Sequence, residues 1–142
     1  AALSSTILVY AIERKPLAAD LIRKNKAQFH LPNLEIIEGV APDCLFLAER
    51  TERPTHAIIG GSGGRLKDIL DVLYAKNPTM RVVIDAISLE TIAELSALKN
   101  DVRIAHLELI QVQVSRARAI GNYQLMQGEN PIYICSFDFH ER

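Results

Sequence analysis

The chain has 142 residues, enough for one domain that buries roughly two-thirds of its unfolded surface. Hydrophobic residues make up 49% and the formal net charge is -1, which provides a core and leaves no basic field to attract nucleic acid. No apolar run is long enough to span a bilayer, and Cys44, Cys135 and four scattered histidines form neither a CxxC pair nor a metal-ligand pattern, so the expected setting is cytoplasmic, reduced and metal-free.

Ala1-Ala2-Leu3-Ser4-Ser5 has no Met start and no signal pattern; it reads as the last turn of a helix, so the chain is expected to begin mid-fold. Ile7-Leu8-Val9-Tyr10-Ala11-Ile12 is a continuous apolar run of the kind found in parallel strands buried on both faces, closed by Glu13. Pro16 suits the first turn of a helix whose apolar side is Leu17, Leu21, Ile22 and Phe29, until Pro32-Asn33 breaks the pattern. Leu34 to Glu38 is a second strand, stopped by Gly39. Ala41-Pro42-Asp43 opens another helix with Leu45, Phe46 and Leu47 as its apolar side, and Glu49 to Pro54 is a charged surface turn. Ala57 to Ile59 is a third strand. Leu66, Ile69, Leu70 and Leu73 mark an amphipathic helix ended by Asn77-Pro78, and Arg81 to Ala86 is a fourth strand. Ser88 caps a helix with core positions Ile92, Leu95 and Leu98, but Thr91 stands where a capping box would have Glu.

Strands and helices thus alternate four times, the signature of an α/β fold with a mainly parallel sheet. The last forty residues differ. Val102 to Val114 and Tyr133 to Phe139 read as strands with no helical crossover, which implies an antiparallel pair at one edge. The apolar phase of the first slips between Leu109 and Ile110, where a bulge is expected. Ser115 to Pro131 reads as a polar connection.

Gly60-Gly61-Ser62-Gly63-Gly64 follows the third strand and leads into a helix. Such a turn leaves backbone N–H groups bare at the carboxyl end of a sheet, where α/β proteins bind ligands, although a plain strand–helix turn has the same composition. It matches neither a Walker loop nor Gly-x-Gly-x-x-Gly. Glu13, at the carboxyl end of the first strand, can accept two hydrogen bonds from a ribose diol or can be an ordinary surface carboxylate. Arg116 and Arg118, with Tyr123 and Leu125 nearby, suit a ligand that is both carboxylated and partly apolar, or a solvated basic loop.

Val9-Tyr10-Ala11-Ile12-Glu13-Arg14, Glu38-Gly39-Val40-Ala41-Pro42, Ile59-Gly60-Gly61-Ser62-Gly63-Gly64, Val82-Val83-Ile84-Asp85-Ala86 and Gln111-Val112-Gln113-Val114-Ser115-Arg116 occur in this order. The set resembles the decarboxylating precorrin-6Y (cobalt-precorrin) carbon-15 methyltransferases of cobalamin (vitamin B12) biosynthesis. These are class I methyltransferases dependent on S-adenosyl-L-methionine (SAM), with a Rossmann-like sheet. The resemblance implies one methyltransferase domain over residues 1–142, lacking the first strand and Gly-rich loop of the family. It implies SAM as cofactor, a precorrin tetrapyrrole as substrate, and methylation at carbon 15 with loss of a ring acetate carboxylate. By it Glu13 would bind the ribose hydroxyls, with Arg14 beside it, and Gly39, Val40 and Ala41 would lie along the adenine. Gly60 and Gly61 would pass beneath the methionine part. Ser62, Gly63, Gly64, Arg116, Arg118 and Tyr123 would face the tetrapyrrole.

Val40 replaces an acidic residue common in the family. Asp85 stands where the family usually has Asn, and a charge there would repel an acidic substrate. No general acid or base is assigned; Tyr123 and Asp85 are the candidates. The family often assembles as a homotetramer, for which the late antiparallel pair is the expected contact. Gln111, Gln113 and Ser115 would share one face there or in the substrate cleft. Two other readings remain compatible with the residues: a SAM methyltransferase for another small molecule, and a non-catalytic oligomeric remnant of such a domain.

Overall fold

The computed structural model describes residues 6–47 and 53–141, in two compact units within residues 1–53 and 54–142. The expected helix end at Ala1 to Ser5 and most of the charged turn from Glu49 lie outside the described residues.

In the first unit β1 (Val9–Glu13) and β2 (Leu34–Glu38) pair in parallel, with Glu13 opposite Glu38. The crossover between them is α1 (Pro16–Gln28), with Pro16 in its first turn, where the missing N–H leaves no bond unmade. The apolar side of α1 differs from expectation. Leu17, Leu21 and Phe29 are exposed, Leu17 at 82%, whereas Ala19 is fully buried and Ala18, Ile22 and the Lys26 stem are half-buried. Positions 19, 22 and 26 are as helical in spacing as 17 and 21, so periodicity alone could not choose between the two stripes. The small Ala19 is the one that lets the helix backbone approach the strands.

The helix expected from Ala41-Pro42-Asp43 is instead a series of turns ending in one 3-10 turn, Leu45–Leu47. Leu45 N–H bonds to the Pro42 carbonyl and Leu47 N–H to the Cys44 carbonyl, an i to i+3 pattern wound too tightly for an α-helix. Leu45 is buried; Phe46 and Leu47 are exposed.

The second unit contains β3 (His56–Ile59), α2 (Leu66–Lys76), β4 (Arg81–Ala86), α3 (Leu89–Ala97), β5 (Ile104–Val112), β6 (Ser115–Ile120), β7 (Tyr123–Gly128) and β8 (Ile132–Phe139). Four strands form one sheet in the order β3-β4-β8-β5, with β3 parallel to β4 and β8 antiparallel to both β4 and β5. Val82, Ile84 and Ala86 alternate inward on β4, as do Cys135, Phe137 and Phe139 on β8, with Val82 opposite Phe137 and Ile84 opposite Cys135. The core is completed by Leu66, Ile69, Leu70 and Leu73 of α2 and Leu95 of α3, as the helical spacing predicts. Ser88 Oγ accepts from Thr91 N–H at 3.3 Å, the partial cap read from the sequence. Asn77, 4% exposed, ends α2; its amide donates to the Pro54 carbonyl and its oxygen accepts from Thr79 N–H and Oγ1.

Two late features depart from the sequence reading. The irregularity in β5 falls between Ala105 and Glu108, not at Leu109–Ile110. Residues 106 and 107 there face only residue 137, and His106 takes a φ of 54° while its Nδ1 lies 3.1 Å from Asp138 Oδ2. Leu109 and Ile110 then pair in continuous register, and both are about half exposed, so neither face of β5 demands a phase change there. The stretch from Ser115 is not a loop but the β6–β7 hairpin, closed by Gly121-Asn122 between the paired Ile120 and Tyr123. Gly121 has φ 60°, as the first position of a two-residue primed turn requires. Gln111 therefore belongs to β5 and Ser115 to β6, so the expected shared face with Gln113 is broken between two strands.

Arg103 joins α2 to the start of β5. It donates to Asp101 and to Asp71, and its guanidinium lies 5.1 Å from the Tyr74 ring centre, which in turn meets Phe139 edge-on. The Lys67 ammonium, reinforced by Arg103 against the effect of burial, holds the Asp71 carboxyl below the usual carboxylate range.

Two predictions follow from this packing. Phe137→Ala empties a site with no solvent exposure and should cost about 3–5 kcal/mol, measured by chemical denaturation; a loss under about 1 kcal/mol would mean that Phe137 is not a core anchor. Because the folded Asp71 carboxyl is depressed, its stabilisation is present above the unfolded pKa and lost as pH falls through the folded value. Asp71→Asn should therefore lower stability near neutrality and flatten its decline on acidification; parallel pH profiles for the two proteins would contradict this.

Candidate functional site

In the first unit the candidate residues gather where β1 and β2 end. Glu13 is the last residue of β1 and half-buried; its Oε1 accepts from Lys15 N–H at 2.8 Å. That bond turns the carboxylate back over the strand end. The Glu13 carbonyl accepts from Gly39 N–H at 3.0 Å, so the turn after β2 is tied to the end of β1. Arg14 follows and is exposed.

Gly39 is confined by Cys44. A β-carbon at Gly39 would lie 2.8 Å from Cys44 Cβ and 3.2 Å from its Sγ, so any larger residue must displace the turn. Cys44 N–H bonds to the Val40 carbonyl, which closes the turn and presents Val40, 46% exposed, with Ala41 half-buried beside it. Burial pushes the Cys44 thiol up, away from the reactive thiolate. Glu38, opposite Glu13, is taken by Arg23 at 2.7 Å and is unlike Glu13 in that respect.

In the second unit Gly60 to Gly64 join β3 to α2. Gly63 and Gly64 have φ of 60° and 80°, and glycine adopts these without strain. Arg65 N–H bonds back to the Ser62 carbonyl before α2 begins at Leu66, and α2 has no side-chain cap. A β-carbon at Gly61 would meet nothing within 4 Å, whereas one at Gly60 would lie 3.4 Å from Asp85 Oδ1. The carboxyl ends of β3 and β4 therefore present a bare backbone edge with a carboxylate beside it. Ser62 Oγ is buried and has no hydrogen-bond partner among the described residues, so this turn holds a polar atom with an unmet demand.

The structure brings Arg116, Arg118 and Tyr123 together. Residues 116, 118 and 120 share one face of β6, and Gln127, Leu125 and Tyr123 stand opposite them on β7. Arg116 Nε donates to Glu129 and Arg118 to Gln127 Oε1 at 3.0 Å, which stretches both guanidinium groups along this face. A helical or coil connection would not align them. The signal for this arrangement was Gly-Asn flanked by Ile120 and Tyr123, a hairpin turn with the two arginines two residues apart.

In the first unit Glu13 keeps a second carboxylate oxygen beyond its bond to Lys15, and the Gly39 turn is packed against Cys44. In the second unit a β-carbon at Gly61 would meet nothing within 4 Å, so the backbone there is open to approach.

A family model described as a precorrin methyltransferase domain matches residues 2–138. A probable cobalt-precorrin-6B C(15)-methyltransferase (decarboxylating) of Sulfolobus acidocaldarius is 37% identical over 131 residues, covering 89% of this chain and 64% of that protein. The chain thus spans just under two-thirds of the length of that relative. Among solved structures, a precorrin 8W decarboxylase from Methanobacterium thermoautotrophicum is 30% identical with a TM-score of 0.76, covering 92% of this chain and 69% of the other. A precorrin-6Y C5,15-methyltransferase from Geobacter metallireducens is 27% identical with a TM-score of 0.77, covering 92% and 67%. The α/β architecture, with parallel strands followed by an antiparallel C-terminal part, is that of class I SAM-dependent methyltransferases. With a matching model over nearly its whole length, the chain belongs to the precorrin methyltransferase domain family.

Proposed function

We propose that this chain is a SAM-dependent methyltransferase domain, spanning residues 1–142, that methylates a precorrin tetrapyrrole at carbon 15 and promotes loss of a ring acetate carboxylate. The observation that carries the reading is Glu13, a half-buried carboxylate at the end of β1 that is held by one backbone N–H and has an oxygen left to accept from a ribose diol. The 37% identity over 89% of the chain to a probable cobalt-precorrin-6B C(15)-methyltransferase (decarboxylating) supports the choice of substrate.

Bound SAM supplies an activated methyl group, so the protein's task is alignment and exclusion of water. Glu13 and Arg14 hold the ribose end. Gly39, Val40 and Ala41 give the adenine an apolar and backbone surface, and Gly60 and Gly61 let the methionine end approach the main chain. Ser62, Gly63 and Gly64 face the tetrapyrrole. Arg116 and Arg118 offer guanidinium forks to its carboxylates, with Tyr123 against the ring edge. Asp85 and Tyr123 are the candidates for proton transfer during decarboxylation.

The β6–β7 hairpin also suits self-association. Ile120, Tyr123, Leu125 and Met126 are all more than half exposed, on both faces of the ribbon, and such a surface fits the homotetramer proposed here. Two free, buried cysteines fit a reducing cytoplasmic setting; among the described residues no helix is long and apolar enough to cross a membrane.

Calorimetry with the intact protein tests the cofactor assignment. Glu13→Ala should weaken SAM binding by about 1–3 kcal/mol, because two ribose hydroxyls lose a charged acceptor; unchanged affinity removes Glu13 from the site, and no SAM binding by the unmodified protein defeats the reading. The assembly is tested by Met126→Asp in light scattering coupled to gel filtration. A shift from tetramer to smaller species is expected, and a tetramer indifferent to the substitution places the contact elsewhere.

A further inference from the structure

Asp85 ends the exposed alternation of β4, and its surroundings offer its charge no answer. On one side stands Gly60, whose missing side chain leaves Oδ1 and Oδ2 open: a β-carbon there would lie 3.4 and 3.7 Å from them. On the other side its partner across β8 is Ile134, which has no polar side-chain atom. The cation on the same face of β4, Arg81, is four residues away and is bound to Asp138 and Ser136. Asp85 itself is exposed and makes no hydrogen bond or ion pair with any described residue. Among the described residues of this unit Asp68, Asp71, Asp101, Glu129 and Asp138 each hold a cationic partner, whereas Asp85, like Glu90, Glu94 and Glu108, does not. A carboxylate kept clear by a glycine, beside a turn with a buried unsatisfied hydroxyl, is arranged to meet something from outside the chain.

Resting on the reading above, in which Gly60 and Gly61 carry the methionine end of SAM, we infer that Asp85 faces the sulfonium and makes the site selective for the cationic donor over the neutral thioether product. The two ligands share adenine, ribose, carboxylate and ammonium, and differ by a methyl group and one positive charge at sulfur. A fixed anion near that sulfur attracts the donor and has no comparable attraction for the product. Transfer of the methyl removes the charge, so the same step that completes the chemistry loosens the hold on the spent cofactor. Gly60 is part of the device, since a methyl group there would rest against the carboxylate and occupy the approach to it.

The test is a pair of affinities on the intact protein, SAM and S-adenosylhomocysteine, for the unmodified chain and for Asp85→Asn, at low and high salt. The variant keeps the shape and removes the charge. SAM affinity should fall about 10-fold while that for S-adenosylhomocysteine stays unchanged, as expected for loss of one charge pair in a partly solvated site. The SAM preference of the unmodified protein should also shrink as salt rises. Equal losses for both ligands would assign Asp85 a structural role and overturn the inference, as would unchanged SAM affinity; either result leaves the methyltransferase reading standing. Failure of the unmodified protein to bind either ligand would overturn both.

Discussion

The second unit depends on a strand that arrives from the far end of the chain. β8 lies between β4 and β5, antiparallel to both, and without it the sheet would break into a β3–β4 pair and a lone β5. Its alternate residues Cys135, Phe137 and Phe139 fill the core against Val82, Ile84 and Met80, and Phe139 carries the packing on to Tyr74 and Arg103. Some fifty residues separate the partners in β4 and β8, so the loop-closure cost must be met before this pairing contributes. What the pairing secures is the position of β4, and with it Asp85 at the end of β4 and Gly60 alongside.

Close approach of backbone, rather than an array of reactive side chains, characterises the candidate residues. Gly39 is glycine because Cys44 leaves no room, and Gly63 and Gly64 because their φ is positive; Gly60 leaves a carboxylate uncovered. Each is a different physical reason for the same residue. The side chains that remain are a carboxylate at the end of β1, a buried hydroxyl after β3, a carboxylate at the end of β4, and a row of guanidinium groups on the hairpin. Under the proposed function such groups would bind and orient. They are well matched to a reaction whose methyl group is activated before it reaches the protein.

Much of this was legible before any coordinates. β2 and β4 fall where the apolar runs place them, α2 buries the four residues its spacing selects, and Ser88 caps α3. Those readings succeed because each depends on a local period or a local hydrogen bond. The failures share a cause too. Leu17 and Ala19 lie on neighbouring stripes of one helix, and only the closeness of the strands favours the smaller side chain. The bulge at residues 106 and 107 follows from pairing with β8 and from the His106–Asp138 contact, neither of which is local. The hairpin showed only in its Gly121-Asn122 turn, because its residues alternate weakly and both its faces are exposed, so burial leaves no pattern in the sequence.

By itself the sequence determined the alternation of strands and helices, the glycine turn at the end of β3, the carboxylate at the end of β1 and the family to which they point, because these are set by short-range chemistry and residue order. Tertiary structure alone decided that β8 enters between β4 and β5, that Gly39 is pinned by Cys44, that Ser62 is left without a partner, and that Arg116 and Arg118 share a face with Tyr123. The first depends on which atoms meet across long stretches of chain, the others on the shape of a turn or hairpin, and a period of two or 3.6 residues carries no record of either.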